Sequence, residues 1–130
     1  MRAGRLLLAV SLVIHLAACG RATVREVHRE DVVIADIKVE AGLTTILVSS
    51  AACATSKRKL SLNTNTSVMP AEASRCLREL ALGSKHVFVQ RQLQFKPMTI
   101  GDKPSVTHTL GPCTIPRDAM RMQQEGELCR

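Results

Sequence analysis

The sequence predicts an α+β domain, a small and mostly antiparallel sheet with one packed helix, stapled by two disulfides. Three observations lead there. Several segments alternate apolar and polar residues with the period of two that a strand presents, and they outnumber helical patterns. Only the stretch from Pro70 to Gly83 carries a helical stripe. Finally, Cys53, Cys76, Cys113 and Cys129 supply two bridges to a core that has no Trp or Tyr and only Phe88 and Phe95 as aromatics.

Taken in order, Gly20 to Asp31 (GRATVREVHRED) is polar and charged and lacks an apolar stripe. It reads as a tether, with a first helical turn packed on the domain as the alternative. Val33, Ala35, Ile37 and Val39 then alternate with Ile34, Asp36, Lys38 and Glu40, as in a half-buried strand. Ala41-Gly42 marks a turn. The β-branched run Leu43 to Ser49 fits a more deeply buried strand, hairpinned to the first. Leu60 and Leu62 share one face of a third strand, Lys59 to Asn63, and Asn63 to Ser67 is a polar loop.

The helix is expected to begin near Pro70, with Glu72 favouring the positive end of its dipole. Ala73, Cys76, Leu77, Leu80 and Ala81 form one stripe, and Gly83 supplies the stop. Because Cys76 lies on that stripe, its partner must come from the sheet beneath. In the next segment Val87, Val89, Leu93 and Phe95 share one face, while His86, Phe88, Gln90, Gln92 and Gln94 form a wet one, and Pro97 ends the strand. Ser105 to Leu110 is a further strand with Val106, His108 and Leu110 on one side. Arg117 to Cys129 reads as a helical tail, against which stand Gly126 and a sparse apolar spacing.

The amino terminus carries a different signal. Arg2 and Arg5 precede an uncharged run, Leu6 to Ala18, of 13 residues. A cationic leader before a short apolar run is the pattern of a secretory signal, and the run falls short of the ~20 residues a membrane span needs. It closes on Leu16-Ala17-Ala18-Cys19, which resembles the lipobox of bacterial lipoprotein precursors. The resemblance covers residues 1–19 alone, and His15 within the apolar run departs mildly from it. It implies cleavage after Ala18, diacylglycerol on the Cys19 sulfur and acylation of the new amino terminus. Gly20 in the next position is compatible with sorting to the outer membrane. The expected organisation is a signal peptide over 1–18, a lipidated terminus and tether over 19–31, and one periplasmic domain over 32–130.

Cysteine parity agrees with this organisation. Five cysteines leave one over in an oxidising compartment, and lipid on Cys19 restores an even number. The remaining four allow three connectivities. Cys53 with Cys76 and Cys113 with Cys129 close the shortest loops and are preferred, with a crossed pairing of strand and helix close behind. No CxxC occurs to suggest a redox pair or a zinc knuckle.

Residues 19–130 carry 16 basic and 11 acidic side chains, a balance suited to anionic lipid head groups or an acidic partner. The scarcity of aromatics argues against single-stranded nucleic acid as a ligand. His28, His86 and His108 lack metal-ligand spacing, and His108 on an apolar face reads as a core residue. The acids are scattered without a pair that could divide acid and base roles, and neither a nucleophile elbow nor a Gly-rich phosphate loop is present. No catalytic residue, metal, cofactor or small-molecule substrate is therefore expected. Lys57-Arg58-Lys59 is the densest basic cluster, explained either as a solvated strand edge or as a contact for an acidic partner. Asn65-Thr66-Ser67 fits a glycosylation acceptor, relevant only in a eukaryote.

Two functional classes follow. The first is a non-catalytic lipoprotein held by Cys19 at the periplasmic face of the outer membrane and binding a protein of the envelope as an assembly component, inhibitor or immunity factor. Its contact candidates are Lys57, Arg58 and Lys59, or Gln90, Gln92 and Gln94. The second is a soluble secreted binding protein of the disulfide-scaffold type, without lipid.

Overall fold

A computed structural model describes residues 22–95 and 105–129. The expected signal peptide over 1–18, Cys19, Gly20 and Pro97 lie outside the described residues. Seven strands are present among those described: β1 (Ala22–Glu40), β2 (Leu43–Ser50), β3 (Ser56–Asn63), β4 (Lys85–Phe95), β5 (Ser105–Leu110), β6 (Cys113–Ile115) and β7 (Met120–Gly126). One helix, α1 (Ala71–Arg78), follows β3. The strands form a single sheet in the order β6-β5-β4-β1-β2-β3-β7, and every neighbouring pair is antiparallel. Among the described residues the α+β architecture with one helix and two disulfides is thus the observed one.

The long strand β1 joins two half-sheets. Its first part, Ala22 to Val33, pairs with β4, and its second, Val32 to Glu40, pairs with β2. The segment expected as a tether is therefore strand from Ala22 onward. An apolar stripe is not required for that outcome, because the ladder to Lys85–Phe95 satisfies the backbone whatever the side chains are. Two bulges had concealed the pattern. The register shifts between Glu26 and His28 and again between Ile34 and Asp36, so Val27 and Ala35 are the extra residues. Before the second bulge Val32 and Ile34 face inward and are fully buried, whereas the expected inward pair, Val33 and Ala35, is half-buried and exposed. After it the phase inverts, and Ile37 packs against the core as the alternation predicts.

Both half-sheets feed one core. Phe88, Leu110, Cys113 and Ile115 come from one side, Ile46, Val48, Leu60 and Leu62 from the other, and Val32 and Ile34 from β1 between them. The sheet must curl to bring these side chains into one cluster. Leu77 of α1 and Met69 just before it lie over this face with no exposed surface. At ~25 cal/mol per Å² of apolar surface removed from water, such aliphatic side chains stabilise the fold by about 1.5–3 kcal/mol each.

The helix is shorter at its end than the sequence pattern implies. It closes at Arg78, and the Glu79 N–H still donates to the Arg75 carbonyl at 3.0 Å. Gly83 does not cap it. With φ at +79°, Gly83 turns the chain so that its N–H donates to the Ile34 carbonyl at 2.8 Å and the Ser84 carbonyl accepts from the Ile34 N–H at 3.0 Å. Ala81, expected on the buried stripe, is exposed. Arg117 to Cys129 is not helical either: its central part is β7, and pairing with β3 overrides a sequence that lacks strand alternation.

The disulfides join Cys53 to Cys129 and Cys76 to Cys113, with Cα separations of 6.0 and 5.6 Å. This overturns the preferred pairing of Cys53 with Cys76 and Cys113 with Cys129. Tripling a loop costs only roughly 1 kcal/mol of closure entropy, so loop length decides little. Register decides instead. Ser56 lies opposite Gly126, which brings the loop before β3 to the end of β7 and Cys53 to Cys129. Cys76, on the packed face of α1, meets Cys113 of β6 in the sheet, as its place on the stripe requires.

Candidate functional site

Strand alternation separates the residues of the basic cluster. Leu60 and Leu62 face the core, and so does Arg58 two residues earlier, while Lys57 and Lys59 project from the opposite face. The solvated-edge account also fails, because β3 is paired on both sides, to β2 and to β7. Gln90, Gln92 and Gln94 share a face with Phe88, whose exposure is 1%. They are half-buried and lie on the core side of the sheet, not on a separate wet face. Val89, on the other side of β4, is buried as well, so this strand is covered on both faces near its middle.

The core face therefore has an apolar centre and a polar end. There Glu30 of β1 forms an ion pair with Arg58 of β3, linking two strands that are not neighbours in the sheet. Their side chains keep 18% and 16% of their exposure, so most of the pair is withdrawn from water. His28 Nε2 lies 3.2 Å from the same Glu30 carboxylate and 3.4 Å from Arg58 Nη1. Met122 of β7 places its sulfur 3.9 Å from Arg58 Nη1. Burial pushes the Arg58 guanidinium below its ordinary pKa, by penalising the charged form.

In register, Gln90 lies opposite His28 on one side and His108 on the other. His108 stacks on Phe88 with ring centroids 5.5 Å apart and an angle of 16°. Desolvation lowers its pKa and favours the neutral imidazole. His86 belongs to a different contact. Its Nε2 lies 2.8 Å from Ser84 Oγ, whose hydroxyl also reaches the Ala81 carbonyl, and its ring packs where a side chain on Gly111 would stand. Thus the structure brings Arg58 and Gln90 toward one polar end with Glu30 and His28, and leaves Lys57 and Lys59 apart.

Glu30 and His28 are not candidates in the sequence, since they fall in a polar segment that lacks an apolar stripe. One signal was present: aligned antiparallel, Glu26 meets Arg91, an opposite-charge cross-strand pair. Chemically, the arrangement is a carboxylate already held by a guanidinium and an imidazole, with Gln90 presenting donor and acceptor groups beside it. It suits recognition of polar groups at a surface. Among the described residues no cluster of three or more His, Cys, Asp or Glu could hold a metal ion, and no helix is long and apolar enough to cross a membrane.

A second depression lies between the β1–β2 turn, the 64–66 loop and α1. It has a volume of about 540 Å³ and is lined by Gly42, Thr44, Thr64, Thr66, Ser74 and Arg78 among others. Within the adjoining loop the Asn65 Oδ1 accepts from the Ser67 N–H at 3.3 Å. Comparison with protein families, curated proteins and solved structures finds no match to this chain.

Proposed function

We propose that this chain is a non-catalytic envelope lipoprotein, anchored through acyl chains on Cys19 and binding another protein of the envelope. The observation that carries the reading is the closed set of disulfides. All four cysteines beyond Cys19 pair with one another, which fits a domain matured in an oxidising compartment and leaves no intramolecular partner for Cys19. Together with the lipobox-like Leu16-Ala17-Ala18-Cys19, this supports spending the Cys19 thiol on lipid. More than one acyl chain gives lasting attachment, at about 0.8 kcal/mol per buried methylene.

Facing the periplasm from the outer membrane, the domain would present the Glu30–Arg58 end of its core face, with Gln90 beside it, to a protein surface. Recognition would proceed by hydrogen bonding and occlusion without covalent chemistry. The decisive experiment is intact mass and fractionation of the native chain. Acyl additions on a chain beginning at Cys19, sedimentation with outer membranes and loss of both in Cys19→Ser are expected. An unmodified soluble chain beginning near the same residue would establish the secreted alternative, and co-purification from detergent-solubilised envelopes would identify the partner.

A further inference from the structure

We infer that β7 pairs with the β7 of a second copy, joining two sheets across a twofold axis at Gln123. Among the described residues the sheet has two outer strands, and they differ in how they end it. β6 has three residues, too few to template another strand. β7 has seven, Met120 to Gly126, pairs only with β3, and exposes every side chain from Arg121 onward. Natural sheets guard such an edge with charged side chains, lysine above all, or with proline, a bulge or brevity. The sequence MRMQQEG contains neither lysine nor proline, and its register with β3 runs without a shift from Met120 to Gly126.

The sequence of this edge is complementary to itself. Antiparallel pairing centred on Gln123 sets Arg121 of each copy opposite Glu125 of the other and stacks the two Gln123 residues on the axis. Met122 meets Gln124, and Met120 meets Gly126. Neither Arg121 nor Glu125 closes an ion pair among the described residues, so both charges are available. Lys57 lies opposite Glu125 on β3, so the row across the joint would read lysine, glutamate, arginine. On the other face Met122 is 44% exposed and would be covered. A twofold interface requires this kind of self-complementarity, in which residue i meets j and j meets i. Gly126, at φ +76° and tight against the Thr55 carbonyl, turns the chain away at the end of the strand toward the disulfide with Cys53.

Crosslinking and charge exchange in the purified full chain test the pairing. Gln123→Cys should give a thiol-reducible dimer under mild oxidation, since directly opposed residues of an antiparallel pair lie within disulfide reach. Ser61→Cys, on the same face but one strand inward, should not. In sedimentation, Arg121→Glu or Glu125→Arg alone should weaken dimerisation roughly tenfold, because each sets like charges opposite twice. Combining the two should restore the pairs between copies and recover part of the loss, the remainder reflecting Lys57 opposite position 125. The proposal is overturned if Gln123→Cys stays monomeric or crosslinks to a different protein, or if the combined variant dimerises no better than the single ones.

Discussion

Arg58 shows how one residue's role depends on which way a strand turns it. Between two lysines it reads as part of a surface charge cluster, yet it points inward to Glu30 and is mostly shielded from water. Replacing it with alanine leaves a shielded carboxylate without its strongest partner. Arg58→Ala should therefore cost roughly 1.5–3 kcal/mol in urea unfolding, and Glu30→Gln in the same background should recover part of the loss. A fully additive double mutant would mean the pair contributes nothing. His108 gives a pH dependence. Its folded pKa lies below the ordinary 6.5, because burial opposes the charged form. Above that pH neither state binds the proton and there is no penalty. As pH falls below about 6.5 the unfolded chain is protonated first, and stability declines until the folded pKa is passed. His108→Gln should flatten this decline between pH 7 and pH 5 in denaturation series. An equal decline in both proteins would assign it to other groups.

At the scale of elements, the sequence showed some strands well and others hardly at all. Leu43 to Ser49 and Ser105 to Leu110 stand where the pattern puts them, because both carry runs of β-branched or alternating residues against a buried face. β1 was half visible. Each bulge inserts one residue and inverts the inward phase, so a strand of 19 residues breaks into fragments without a common period. β7 gave no signal, since its polar side chains are exposed and what holds it is the ladder to β3. Helix α1 was visible through its stripe, although its last turn was overestimated. The disulfide from its packed face tests its docking. Removing Cys76 and Cys113 together by alanine should cost about 3–4 kcal/mol, and removing Cys53 and Cys129 a similar amount, because the enclosed spans of 37 and 76 residues differ little in closure entropy. Urea midpoints of the two double variants measure this directly. Peptide mapping without reduction should recover the same two linked pairs and none that joins Cys113 to Cys129.

For the molecule as a whole, the composition and the ladders divide the work. A chain with two phenylalanines and no larger aromatics builds its interior from Val, Ile, Leu and Met, and two covalent links hold a sheet that must curl to close over them. The candidate site arises from that curl. His28, Glu30, Arg58 and Gln90 come from three strands and lie up to 62 positions apart in the chain, and only the folding of the sheet on itself brings them to one end. What the sequence determined by itself is whatever is written in local order: the strand periods, the helical stripe, the turn glycine at 42, the four cysteines beyond Cys19 and the short apolar run that closes on Leu16-Ala17-Ala18-Cys19. What only the tertiary structure decided is every choice between partners, namely which cysteine meets which, which face of β4 is inward and which charge answers Arg58. The physical reason is that a strand satisfies its backbone equally well beside many neighbours, and the choice among them is made by packing summed over the whole sheet.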